Sequence, residues 1–310
     1  MFVGSFVASA GLESFVTHGF LTPAEAVAGK KNDKLELVVD FVRDNLTSYA
    51  RAALPFLSDA YCTVQQEIVT STTSSKEPTD FILNDLRTLD DLYEAMTLNH
   101  VARRASKTQG VALLSLYSKG FTKPSMLREA SQTSSGLQED NNNAKFGALV
   151  DRLKLAIRRE ETHGHLPICW GVLTAALGLS LGANVLYYSM IYLRKFIIFM
   201  IFETIYSERS QFLHLFLYAR GLLSAGVRMN TLGPYAAQQL LLHAIRPLVT
   251  TEAKQCGMLR TGLQTSRTVT HGVDAFDGEV LTHKGPAMTW PLGEILAGRH
   301  DLQHSRVFNS

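Results

Sequence analysis

From Leu166 to Leu193 the chain carries no charged residue, a run longer than the roughly 18 apolar positions that mark a membrane span. Such a segment folds either across a bilayer or into the middle of a helical bundle. Its first part, LPICWGVLTAALGLSLG, is rich in Gly, Ala and Ser, which lets neighbouring helices approach closely in either setting. What flanks it therefore decides the architecture.

The flanks read as helices. Between Lys34 and about Val64, Leu35, Val38, Val39, Phe41, Val42 and Leu46 recur at helical spacing, and Pro55 is expected to bend or end the segment. The run TSTTSSKEP marks a break, and Pro78 is placed to open a second helix whose buried stripe is Phe81, Leu86, Leu89, Tyr93 and Met96. A third covers Asn99 to Tyr117, with Arg103, Arg104 and Lys107 on a solvated face and Ala105, Val111, Leu113 and Leu116 available to the core. Residues 120–143, including SQTSSGLQEDNNN, read as a mobile loop, and Lys145 to Glu161 restores the helical pattern.

Beyond the apolar run, Phe212, Leu215, Phe216, Ala219, Leu222, Leu223 and Val227 form another amphipathic helix ending near Asn230. Gly233-Pro234 stops that helix and restarts the next, Tyr235 to Leu248. Alternating strand patterns are absent. The expected fold is all-α, one multi-helix bundle over residues 1–250. Residues 251–310 are poor in large apolar side chains until Trp290, Leu292 and Ile295, and read as a largely disordered tail.

Composition narrows the function. Lys+Arg 30 against Asp+Glu 28 leaves a net charge of +2, so no bulk field draws the chain to nucleic acid. Cys62, Cys169 and Cys256 lie far apart without a CxxC pair, which argues against a disulfide framework or structural zinc and for a reducing compartment. The N-terminus, MFVGSFVASAG, lacks the basic region of a secretion signal, so a cytoplasmic location is expected.

His163 and His165 in ETHGHLP invite a metal reading. Two-residue spacing does not put both imidazoles on one helix face, however, and no carboxylate or Cys cluster completes a site nearby in sequence. A helix-start loop is the better reading, with Cys169 a small core residue. No GxSxG, HExxH, Walker-type or GxGxxG motif occurs. The expectation is a non-catalytic protein with no metal site and no tightly bound cofactor.

Several segments are similar, in order, to one family. GSFVASAGLES (Gly4 to Ser14) resembles a Gly-aromatic turn leading into a Ser-x-Gly-Leu-Glu helix. LYEAMTLNHVARRASKTQGVALL (Leu92 to Leu114) resembles an Arg-x-Ala-Ser segment followed by a Gln-Gly pair. GHLPICWGVLTAALGLSL (Gly164 to Leu181) is similar to a Gly-His-x-Pro helix. ARGLLSAGVRMNTLGPYAAQQLL (Ala219 to Leu241) resembles a Ser-Ala-x-Val-Arg helix, a Leu-Gly turn and a glutamine-bearing helix. GRHDLQHSRVFNS resembles an Arg-His and Ser-Arg-x-Phe-x-Ser ending. Together these resemble the urease accessory protein F family (UreF), its eukaryotic branch.

That resemblance implies an all-helical scaffold, homodimeric in its complex, that binds the accessory protein called D or H and recruits the GTPase accessory protein G for nickel insertion into the urease apoprotein. Ni(II), and nickel cation binding generally, would belong to the complex; neither nucleic acid nor a membrane is an implied partner. The tail would order on the D partner. The residues implied as partner contacts are Gly11, Leu12, Glu13, Arg228, Gly233, Gln238, Gln239, Arg299, His300, Arg306 and Phe308. For Gly11 and Gly233 local geometry, for Leu12 core packing and for Glu13 a helix-surface charge are equally open.

Two departures from the family pattern stand out. The chain starts almost on the Gly-aromatic turn, which reads as a truncated N-terminus. Residues 185–206, VLYYSMIYLRKFIIFMIFETIY, match nothing in the family, and their composition is that of a retained intron. The alternative is a membrane-associated helical protein anchored through residues 166–206, although Arg194, Lys195 and Glu203 interrupt the run.

Overall fold

A computed structural model of the chain describes residues 8–21, 34–70, 79–121, 136–179, 209–263, 285–304 and 306–308, and among them no strand occurs. The helices are α1 (Leu12–Thr17), α2 (Lys34–Thr70), α3 (Thr79–Met96), α4 (His100–Leu116), α5 (Gly136–Arg158), α6 (Leu166–Ala176), α7 (Arg209–Arg228), α8 (Pro234–Gln239), α9 (Arg246–Cys256) and α10 (Pro291–Gly298). A π-turn, Tyr117–Phe121, extends α4, another, Leu240–Ile245, joins α8 to α9, and a 3-10 turn, Arg299–Leu302, follows α10. The fold is all-α.

The uncharged run resolves into a core helix. α6 is 11 residues long, and every residue from Pro167 to Ala176 is buried, as expected of a helix apolar on all sides. Pro167 opens it, and Gly178 in the left-handed region (φ 66°) closes it, with the Leu179 amide donating to Thr174 O at 2.9 Å. Among the described residues no helix is long and apolar enough to cross a membrane. Residues 185–206 lie outside them.

α6 packs most heavily on α2, and Gly171 sets the spacing. A Cβ there would stand 2.6 Å from Leu57 O and 2.9 Å from Ala60 Cβ. Around this pair, α3, α4, α5, α7 and α9 bury Leu86, Leu114, Leu149, Leu215 and Val249. Polar ties fix the register: Gln211 Nε2 donates to Ser58 Oγ at 2.9 Å, Thr47 Oγ1 to Glu252 Oε1 at 2.8 Å, and Ser210 Oγ to Thr174 Oγ1 at 3.0 Å. All three cysteines are free thiols.

Several sequence expectations change. Pro55 neither ends nor divides α2, which is continuous over 37 residues; the Arg51 carbonyl that Pro55 cannot satisfy accepts the Ala287 amide at 3.4 Å instead. Phe81 is exposed, because Ile82 and Leu83, one turn before Leu86, hold the buried face of α3. Val111 and Leu116 are exposed too, and Val101, Leu114 and Tyr117 take their place in the core. Of the loop expected over 120–143, Gly120 sits in the π-turn, residues 136–143 belong to α5, and 122–135 are outside the described residues.

The largest change is at the C-terminus. The helical body continues to Cys256, past the boundary expected at residue 250, and residues 285–304 and 306–308 pack back onto it. The expected disordered tail thus includes buried Leu296, His300 and Phe308. Segment 264–284 is outside the described residues.

Candidate functional site

Seven of the eleven residues implied as contacts come together where the two ends of the chain meet. Gly11 (φ 85°) turns the backbone into α1, and a Cβ on it would lie 3.2 Å from the Ala297 amide of α10, so only glycine lets the two segments pass this closely. Leu12 enters the core at 1% exposure. Glu13, on the next position, is buried and points its carboxylate at the tail.

That carboxylate gathers three donors. Oε1 accepts the Val307 amide at 2.6 Å, Oε2 accepts the Phe308 amide at 3.3 Å, and His300 Nε2 lies 3.2 Å from Oε2. Beside it, Gln303 Nε2 donates to Ser14 Oγ at 2.7 Å. Glu13 is therefore neither a helix-surface charge nor an exposed contact. His300 is fully buried and Phe308 nearly so: the imidazole and the two amides face the Glu13 carboxylate, and the phenyl ring packs in the core.

Outside this knot, Asp301 collects the basic face of α4. Arg104 holds it with both terminal nitrogens (3.1 and 3.0 Å), His100 Nε2 lies at 3.1 Å and Arg306 Nη1 at 2.9 Å. The Arg104 hydrogen bonds keep the Asp301 carboxyl well below the usual carboxylate range. Arg103 and Lys107 pair with Glu94 of α3 at 3.3 and 2.9 Å, so this face of α4 is engaged rather than merely solvated.

The α10 helix is bound to the cap of α4. Asn99 Oδ1 accepts the Val101 and Ala102 amides at 3.0 and 3.3 Å, while its Nδ2 donates to Glu294 O at 3.0 Å. Trp290 packs edge-on against Phe41 of α2, ring centroids 5.3 Å apart. Below the tail lies a cavity of ≈ 130 Å³ lined by Ala10, Asn45, Tyr49, Tyr93, Tyr218 and Glu294 among others. Burial raises the Glu294 carboxyl above its usual range.

The face left outward is apolar with a basic rim. Ile295, Leu302 and Val307 are 59, 76 and 60% exposed, Leu98 and Leu292 are exposed as well, and so are Arg299 and, while paired with Asp301, Arg306.

Of the other four implied contacts, Arg228 and Gly233 flank the turn between α7 and α8, Gln238 and Gln239 end α8, and all four are exposed. Gly233 has φ −73° and open space where a Cβ would be, so backbone geometry does not demand glycine there. Asn230, in the left-handed region (φ 55°), ends α7.

The ETHGH segment is a helix-start loop wrapped on one carboxylate. Asp90 accepts Thr162 Oγ1 at 2.6 Å and the amides of His163, Gly164 and His165 at 2.8, 2.6 and 3.0 Å. His165 Nε2 lies 2.7 Å from Glu94 Oε2. Burial would raise Glu94, and hydrogen bonds from Lys107 and His165 outweigh it, holding the carboxyl at about 2. Among the described residues no group of three or more His, Cys, Asp or Glu is placed to hold a metal ion.

Sequence reasoning missed Asn99, Asp301, Trp290 and the tethering role of Arg104. The signals were present but faint: a lone Asn at a helix start, and an Asp inside GRHDLQ beside two basic residues.

The UreF family model matches residues 35–197 and 204–245. The chain belongs to the UreF family. The match runs on through residue 197 and resumes at 204, so of the stretch 185–206, expected to match nothing in the family, only the part between 197 and 204 is left out. Among curated proteins, the chain is 38% identical to "Urease accessory protein 6" of Cryptococcus neoformans var. grubii, over 99% of this chain and 92% of the relative. It is 22% identical to an "Uncharacterized urease accessory protein UreF-like" of Schizosaccharomyces pombe, again over 99% and 92% of the two chains.

Proposed function

We propose that this chain is a non-catalytic urease accessory protein, a cytoplasmic scaffold that binds the D/H-type accessory protein and recruits the GTPase accessory protein G for nickel insertion into the urease apoprotein. It works as a homodimer within that complex, and nickel is the cargo of the assembly rather than a resident of this chain. The names of its relatives support the urease assignment. The observation that carries the scaffold reading is the outward apolar face of the docked tail, Ile295, Leu302 and Val307 beside Arg299 and Arg306. Monomeric proteins rarely leave such patches uncovered, and an apolar centre with a basic rim fits a partner surface of apolar and acidic side chains.

In this reading the tail face receives the D-type partner, and the α7–α8 turn, with Arg228, Gln238 and Gln239, serves a second contact. Co-expression with the D-type protein and the GTPase, followed by size-exclusion chromatography, tests it. Co-elution of all three supports the scaffold. A Leu302→Asp, Val307→Asp double variant is expected to weaken D-type binding by about tenfold or more, as burying unpaired carboxylates does. Absence of any complex with the natural chain, or unchanged binding by the double variant, refutes this placement.

A further inference from the structure

We propose that Glu13 is a positioning residue for partner capture: it touches no partner and fixes which side chains the tail turns outward. This rests on the reading above that the tail face receives the D-type accessory protein.

The geometry is specific. Consecutive amides in an extended chain point in opposite directions, so one carboxylate reaches both only where the backbone bends. Glu13 accepts Val307 N at 2.6 Å and Phe308 N at 3.3 Å, and the chain bends at these two residues. The bend separates their side chains: Phe308 is 4% exposed and Val307 60%. The same carboxylate meets His300 Nε2 at 3.2 Å, and with that imidazole fixed inward, the adjoining Asp301 faces α4 and draws in Arg104 and Arg306.

One buried charge thereby sets the register of residues 300–304 and 306–308 and leaves Leu302, Arg306 and Val307 exposed. The Glu13 side chain is only 6% exposed, too enclosed to meet a partner directly. Its partners lie 287 to 295 positions away along the chain, so a short N-terminal helix controls the shape of a C-terminal surface.

The test uses full-length variants. Glu13→Gln leaves one oxygen for an amide and turns an NH2 toward groups that are themselves donors. It is expected to weaken binding of the purified D-type protein by about tenfold or more, since hydrogen bonds to a buried charge are among the stronger ones. Amide exchange at Val307 and Phe308 should accelerate, while the urea midpoint of the helical body stays near that of the natural chain. Phe308→Ala, which loosens the tail with Glu13 intact, should weaken binding in the same way.

Natural affinity in Glu13→Gln or Phe308→Ala, alongside a Leu302→Asp, Val307→Asp variant that has lost binding, overturns the positioning role and leaves the tail face standing. Loss of affinity that tracks loss of body stability overturns it too, by reducing Glu13 to a structural residue. A natural chain that does not bind the D-type protein, or a double variant that binds normally, removes the tail-face reading itself.

Discussion

At the scale of single residues, the sites that matter most are those where a side chain has no freedom to be anything else. Gly171 is one. With Leu57 O 2.6 Å from where its Cβ would stand, Gly171→Ala must push α6 off α2, and overpacking of this kind costs about 1–3 kcal/mol. Urea unfolding should show that loss; an unchanged midpoint would mean the helices are not as close as described. Glu13 is another such site, but its environment was not legible in the sequence. Leu12 as core and Gly11 as local geometry were among the options that local pattern offers, whereas the donors to Glu13 come from the far end of the chain. Periodicity reports which face of a helix is apolar, and it is silent on which distant segment supplies a hydrogen bond.

Elements were more legible. The recurrence of apolar residues placed α3, α4 and α7, and Gly233-Pro234 marked the restart at α8, because helix spacing and stop signals are local properties. Pro55 misled for a nonlocal reason. The carbonyl it orphans is met by Ala287, a residue of the tail, so α2 keeps its course through contact with a segment more than two hundred positions later. The tail misled through composition: few large apolar residues suffice when each is used. Trp290 on Phe41, Leu296 and Phe308 anchor it, and the cap of α4 holds α10. Trp290→Ala removes the ring packed on α2 and should speed protease cleavage between residues 285 and 308 by about tenfold, the change in local opening that follows from losing roughly 1.4 kcal/mol of docking energy. Equal cleavage of variant and natural chain would show that the aromatic contact does not hold the tail.

At the scale of the whole molecule, the buried imidazoles determine how the bundle answers to acid. His214 sits between Trp170 and Tyr49, with ring centroids 5.1 and 5.6 Å away and Tyr49 Oη 3.0 Å from its Nε2. Burial pushes its pKa down to about 3, against about 6.5 in an unfolded chain. Between these values the unfolded state binds the extra proton, so stability falls as pH drops below about 6.5, by about 1.4 kcal/mol per pH unit for this one group. Burial moves His165 in the same direction, opposed by Asp90 and Glu94, and adds to the slope. Glu94 acts in a lower window: its depressed pKa contributes stability present above about pH 4.3 and lost as pH falls toward 2. The natural chain should therefore lose about 2 kcal/mol or more between pH 7 and pH 5 from the imidazoles, before Glu94 begins to titrate. Urea midpoints taken across this range should give a shallower slope for His214→Gln than for the natural chain, and the two curves should run parallel only above about pH 7 and below about pH 3, where this imidazole carries the same charge folded and unfolded. A natural chain with constant stability from pH 7 to pH 5, or a variant that keeps the full slope, would place the acid sensitivity of this bundle somewhere other than the imidazole at its centre.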